Sequence, residues 1–278
     1  MEFVGNMKEK ILAFLKSVDE DYLEFISTLS SRKINPFNNS KERATFNEYW
    51  YPRKYVSSVT GNNINIFYNI QEVDFTKFSW NFMKKYTTDE ELSSLMKIID
   101  ELNESVTDDD MQYRIKRLRI HTFYALAYVG SPFFNIACQK LCVEGMFDAM
   151  KRLNEYLNSR VKIISTTYDS VSFIGEIDFV ALKKYLGLEF KVRTAMKMIQ
   201  FRNVGMYKTP EGVWITKKIT GTRYDDIKIQ VLECLKDKED FGKAILLVNK
   251  AELPMMMKKE YIRDVIAARE AANVTSRS

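Results

Sequence analysis

The chain has 278 residues, 46% of them hydrophobic and 28% charged, which is enough for one sizeable core with a second smaller unit and excludes a disordered or fibrous chain. A formal net charge of +5 permits a polyanionic partner without demanding one. No apolar run approaches the ~20 residues that span a bilayer, the charged N-terminus lacks a signal-peptide core, and three cysteines argue against a disulfide framework and for a reducing, cytoplasmic compartment.

Ten glycines and five prolines are few for this length and predict long helices with compact connections. Ile11, Leu12, Leu15, Val18, Tyr22, Phe25, Ile26 and Leu29 recur at helical spacing and predict one helix over 7–29. Residues 31–60, around Pro36 and Pro52, read as a long irregular connection, and the Gly61-Asn-Asn turn signal precedes a strand over 64–73. A helix over about 88–104 opens at Thr88 with Glu91 three residues on, and Asp108-Asp-Asp opens another that runs to about Val129. Gly130-Ser-Pro132 breaks the chain and sets the expected division into a mostly helical domain, 1–130, and a second domain, 131–278. Beyond the break the pattern predicts a helix at 135–158 and strands at 161–167, 171–182 and 185–192. A helix at 194–208, a strand at 213–219, a helix at 225–237, a buried strand at 244–248 and a basic helix at 255–271 complete the reading. This alternation is an α/β pattern with the sheet covered by helices.

The candidate chemistry lies in Gly175-Glu-Ile-Asp-Phe-Val-Ala-Leu and Tyr185-Leu-Gly-Leu-Glu-Phe-Lys-Val192. In the second run Leu186, Leu188, Phe190 and Val192 alternate with Gly187, Glu189, Lys191 and Arg193, so a period of two sends them to opposite faces. An acid and an amine side by side on a core strand are costly to desolvate unless they are paired or bind a metal. Glu189-Phe-Lys191 is the only Glu-x-Lys tripeptide in the chain, with Asp178 eleven residues upstream. A cross-strand Glu-Lys pair on a half-exposed sheet is the plain alternative.

Helix, three strands, helix, strand, with Asp178 in the second strand and Glu189-x-Lys191 in the third, resembles the PD-(D/E)xK nuclease superfamily. The resemblance is greatest to its RecB-type branch, which includes lambda-exonuclease-like and CRISPR-adaptation nucleases. It covers about residues 135–220, and Ile177 stands where the family name has Pro. It implies a restriction-endonuclease-like core, a mixed sheet flanked by helices in the order αβββαβ. It also implies a metal-dependent nuclease that hydrolyses phosphodiester bonds in DNA. By this likeness Asp178, Glu189, the Phe190 carbonyl and, from the first core helix, Glu144 would hold Mg²⁺ or Mn²⁺. Asp178, Glu189 and Lys191 would be catalytic, with Gln200 near the phosphate and Glu176 a further acid on the face of Asp178. The chemistry agrees, because these hard cations take oxygen ligands, activate water and stabilise the leaving oxygen. DNA is the implied partner, no membrane is, and homo-oligomers or replication, recombination and transposition proteins are the implied protein partners. Two further readings stay open: a nuclease-fold binding or assembly protein without cleavage, and an RNA endonuclease in which His121 becomes a ligand.

Other features read less specifically. Lys197, Gln200 and Tyr207 would share one helical stripe, but Val204 stands where RecB-type nucleases have a tyrosine. Asp148 and Glu155 are alternative acids on the first core helix, and a solvated surface explains all three of its acids equally well. Arg114, Arg117 and His121 share a helix side suited to phosphates or to solvent. Cys138, Cys142 and Cys234 read as buried small hydrophobes. Asn47-Glu-Tyr-Trp-Tyr-Pro-Arg-Lys-Tyr55 mixes aromatic and basic residues, as stacking platforms and packed cores both do. No P-loop, dinucleotide fingerprint, HExxH or GxSxG occurs. The Asn-, Lys-, Tyr- and Ile-rich composition is of the kind found in virus-, plasmid- or AT-rich-genome-encoded chains, which is a statement of composition only.

Overall fold

A computed structural model describes residues 2–17, 21–31, 64–128, 130–202, 204–218 and 224–275. The chain divides into two units, Met1–Arg53 with Thr76–Lys151 and Lys54–Phe75 with Arg152–Ser278. The expected division at residue 130 is displaced for two reasons. The first unit continues past residue 130 into the helix Ile136–Asn158, where its boundary falls at Lys151, and the strand Ile64–Phe75 is paired on both sides by strands from the C-terminal half.

The first unit is helical: α1 (Glu2–Lys16), α2 (Tyr22–Ser27), α3 (Phe78–Tyr86), α4 (Glu90–Ser105), α5 (Asp109–Ala125) and most of α6 (Ile136–Asn158). The single helix expected over 7–29 is two, because the Asp21 carboxylate accepts from the Glu24 N–H and starts α2 afresh. Asp89, rather than Thr88, caps α4 by accepting from the Leu92 N–H at 3.0 Å, while Glu91 accepts from the Ser30 hydroxyl. Asp108 caps α5 as its sequence predicts, at 2.8 Å from the Met111 nitrogen. α5 packs against each of α1 to α4 and buries Ile115, Leu118 and Phe123. The short α3, absent from the periodicity reading, buries Phe78, Trp80, Phe82 and Met83.

The second unit is built on a six-stranded sheet in the order β2-β3-β1-β4-β5-β6. Its strands are β1 (Ile64–Phe75), β2 (Lys162–Thr166), β3 (Ser170–Ile174), β4 (Phe190–Phe201), β5 (Val204–Lys208) and β6 (Trp214–Lys218), and every pairing is antiparallel. The class is α/β, but the sheet is not mixed. From α6 onward the order is helix, β2, β3, α7 (Phe179–Leu186), β4, β5, β6, in place of αβββαβ. At the Ile64 end, Ile199, Phe201, Val204 and Met206 pack against α8 (Asp225–Leu235), α9 (Phe241–Lys250) and α10 (Met255–Thr275) through Val231, Leu235, Val248, Tyr261 and Val265.

Three expected elements change identity. Residues 179–186 are a helix rather than the end of one strand and the start of another, stopped by Gly187 in the left-handed conformation at φ 65°. Residues 194–201 and 204–208 are strands rather than one helix. Ala195, Met198 and Gln200 favour helix by themselves, but β4 is held between β1 and β5 and tertiary pairing overrides local preference. Residues 244–248 lie in α9, where Asp240 accepts from the Lys243 N–H and Ala244 and Val248 are buried one turn apart. A five-residue apolar run does not distinguish strand from helix by periodicity.

Glu239, between α8 and α9, holds a positive φ of 50° that a side chain rarely adopts. Its Oε1 accepts from the Tyr68 hydroxyl and the Lys197 ammonium, each at 2.7 Å, which fastens this loop to the sheet. Burial, followed by the hydrogen bond to Glu239, pushes the Tyr68 phenol up to about 12. A raised acid pKa adds stability that is complete below the unfolded value, about 10, and is lost as pH rises through the folded one. The unfolding free energy should therefore fall between these two values, and Tyr68→Phe should remove that slope in chemical denaturation. A slope that persists in Tyr68→Phe would contradict the assignment.

Candidate functional site

Two acids lie at one end of the sheet. Asp74 lies near the end of β1, opposite Ser170 of β3 and Lys191 of β4. Asp169 lies in the turn between β2 and β3, where its carbonyl accepts from the Phe75 N–H at 2.8 Å. The spacing of paired strands puts the Cα atoms of Asp74 and Asp169 about 6 Å apart. The turn closes through the Thr167 N–H on the Ser170 carbonyl at 2.8 Å, and the Thr167 hydroxyl donates to Asp169 Oδ1 at 3.2 Å. Asp169 is exposed, while Val73, Phe75, Val171 and Phe173 are buried and hold the strands beneath it.

A third acid and a base complete this end. Glu72 lies two residues before Asp74 and opposite Ser172 and Arg193. Arg193 Nη1 is 3.1 Å from Glu72 Oε1, its Nη2 is 2.5 Å from Asp74 Oδ2, and the Ser172 hydroxyl donates to Glu72 Oε2 at 3.0 Å. The carboxylates are 17% exposed and Arg193 is 54% exposed, so the guanidinium lies on their solvent side. Among the described residues no group of three or more His, Cys, Asp or Glu is arranged to hold a metal ion. Magnesium needs no such cage, since one or two carboxylates with substrate phosphates and waters complete its octahedron. Asp74 and Asp169 offer hard oxygens of the kind such an ion takes, and Arg193 already occupies Oδ2 of Asp74.

Part of the constellation expected from sequence arrives here and part does not. Lys191 is opposite Asp74, and Glu189 directly precedes Phe190, which pairs with Phe75. Glu189 is 66% exposed and bonds Lys183 at 2.8 Å. Asp178 is elsewhere: it is the N-cap of α7, with Oδ1 accepting from the Val180 and Ala181 N–H groups at 2.9 and 3.0 Å. Glu189 follows the far end of α7, about 12 Å along an eight-residue helix. One cation, with ligands at about 2.1 Å, cannot take both. The expected pair on adjoining strands is corrected on this ground. Replacing Asp178 by Ala should cost about 1 kcal/mol through the lost cap, read as a lowered thermal midpoint, with Asn at this position nearly neutral. Equal midpoints for the Ala and Asn variants would refute the capping role.

Glu144 is exposed on α6 within the first unit, and Glu176 is exposed in the loop before α7. Gln200 and Tyr207 lie on β4 and β5, opposite Gly205 and Met198, rather than on a helix. Gln200 is buried and donates to the Arg202 carbonyl. His121 packs its ring 5.0 Å from that of Tyr22, and burial, then Arg117, lowers its pKa. Cys138, Cys142 and Cys234 are buried free thiols. Residues 47–55, with their mixed aromatic and basic side chains, lie outside the described residues. Asp74 and Asp169 are absent from the sequence reading although a signal is present: each is an acid set within or between apolar β-branched stretches, Ile70 to Phe75 (with Glu72) and Ile163 to Ile174.

No family model matches the chain, and no curated protein matches it. Among solved structures, the family B DNA polymerase from the hyperthermophilic archaeon Pyrobaculum calidifontis is similar to 93% of the chain with a TM-score of 0.47 and 12% identity. The chain spans 38% of that polymerase. No helix among the described residues is long and apolar enough to cross a membrane.

Proposed function

We propose that this chain carries out metal-dependent phosphoryl transfer on DNA, and specifically nucleotidyl transfer to a strand end, at Asp74 and Asp169. The observation that supports it is the delivery of these two carboxylates to one end of the sheet by β1 and the β2–β3 turn. Bound there, Mg²⁺ or Mn²⁺ would stabilise the attacking and leaving oxygens of an in-line displacement. Asp74 and Asp169 hold the ions, and the buried residues beneath them fix their spacing. Lys191 and Arg193 flank the acids, and so place counter-charge where a triphosphate brings several negative charges. A single phosphodiester needs less. The overall charge of +5 is compatible with a polyanionic polymer.

Hydrolysis is the second reading, favoured by the arrival of Glu189 and Lys191 at the same end of the sheet. In that case water replaces the strand-end hydroxyl as nucleophile, and the enzyme is a nuclease. A primer labelled at its 5′ end, annealed to a longer DNA template and supplied with all four deoxynucleoside triphosphates and Mg²⁺ or Mn²⁺, distinguishes the two. Longer products that vanish with EDTA are expected. Only shortened products would replace the proposal with the nuclease, and neither product with tight DNA binding would leave a binding or assembly protein. An RNA strand in parallel tests the remaining alternative.

A further inference from the structure

Resting on the reading of Asp74 as a metal ligand, we infer that Arg193 is an internal counter-cation that competes with the divalent ion for Asp74 and, once displaced, turns to the substrate's phosphate. One edge of its guanidinium spans two carboxylates on the same strand, Nη1 to Glu72 and Nη2 to Asp74. Glu72 is held by the Ser172 hydroxyl on its other oxygen, so it remains a fixed anchor when Asp74 is taken. The arginine is the most exposed of the three groups, and a divalent ion on Asp74 Oδ2 would stand against the charge of the guanidinium whose Nη2 holds that oxygen.

Protonation cannot bring about the exchange from the arginine's side, because a guanidinium keeps its charge at all working pH values. A competing cation can. A divalent ion brings twice the charge, centred at about 2.1 Å from the oxygen, where the Nη2 nitrogen stands at 2.5 Å. The freed Nη2 then has a donor to offer, and a phosphate oxygen at the same site is the acceptor that matches its planar fork. Metal loading and phosphate binding become linked through one side chain, and each should favour the other.

The test uses the full chain and Mn²⁺ as the probe, with binding followed by electron paramagnetic resonance or calorimetry in the absence of nucleic acid. Removing the charge with Arg193→Gln should tighten Mn²⁺ binding by about tenfold, since the competitor is gone. The same variant should weaken binding of a deoxynucleoside triphosphate in saturating Mn²⁺ by a similar factor. Arg193→Lys, which keeps the charge but not the fork, should stay near wild type for the metal and lose affinity for the triphosphate. A purely structural role predicts weaker metal binding in Arg193→Gln, and weaker or unchanged binding would overturn the inference. Asp74→Asn in the same titration separates the two layers: if it binds Mn²⁺ as wild type does, the site itself is misassigned. If Asp74→Asn loses the ion while Arg193→Gln binds it unchanged, only the competition falls.

Discussion

Replacing Asp74 or Asp169 with asparagine is expected to reduce metal-dependent strand extension by about a thousandfold, equivalent to about 4 kcal/mol of transition-state stabilisation. Asparagine keeps the size of the side chain and one oxygen but removes the negative charge that a hard cation requires. The fold should survive, because neither carboxylate belongs to the buried core: Asp169 is exposed, and Asp74 bonds a half-exposed arginine. Circular dichroism and an unchanged denaturation midpoint check that point. Asp178→Asn, measured beside them, should retain activity, because its oxygen serves only the N-terminus of α7. Glu189→Gln separates synthesis from hydrolysis, since the nuclease reading makes it as damaging as Asp74→Asn and the proposed reading does not. Full extension by the Asp74→Asn protein would remove the site.

Arg202→Ala should destabilise the second unit by about 3–5 kcal/mol, the usual loss when a buried charge is left without its partner. Arg202 follows β4 with a φ of 54°, donates from Nη2 to Glu260 at 3.1 Å and to Asp264 at 3.2 Å, and lies over the Tyr261 ring. Asp264 is 1% exposed, so it has no water to replace the guanidinium. Burial already holds its pKa above the ordinary carboxylate value, with Arg202 opposing the rise. Loss of Arg202 must raise it further. A carboxyl whose folded pKa is raised binds a proton more readily in the folded state, so its contribution to stability falls as pH rises from the unfolded value, about 3.9, through the folded one. The deficit of Arg202→Ala relative to wild type should therefore shrink as pH is lowered, and Arg202→Ala combined with Asp264→Asn should recover part of it at neutral pH. Urea denaturation across pH measures both, and a deficit that does not vary with pH would show that Asp264 is not the group left stranded.

How far the chain could be read from its residues depended on the range of the forces involved. Helices α4, α5, α6, α8 and α10 and strands β1, β2 and β6 were legible because a local period, an N-cap aspartate or a turn residue specifies each one. The α7 helix was misread although Asp178 and Gly187 bracket it as N-cap and C-terminal stop. The alternation of Leu186, Leu188, Phe190 and Val192 starts the strand five residues too early, at 185 rather than Phe190. β4 was misread for the opposite reason: its helix-favouring residues are extended only because β1 and β5 bond it on both edges.

The same division of scale holds for the site. Sequence alone established an α/β protein, basic and without a membrane-spanning helical stretch, and singled out Lys191 and Glu189, two groups that do reach the acidic end of the sheet. It could not choose their partner. Asp74 and Asp169 are about ninety-five residues apart in the chain, and only the antiparallel pairing of β1 with β3 makes them neighbours. Asp178, eleven residues from Glu189, was the tempting partner because it is near in sequence, and its carboxylate is instead taken by two backbone N–H groups of α7. Local hydrogen bonding decides a cap, whereas strand pairing over long separations decides which charges meet.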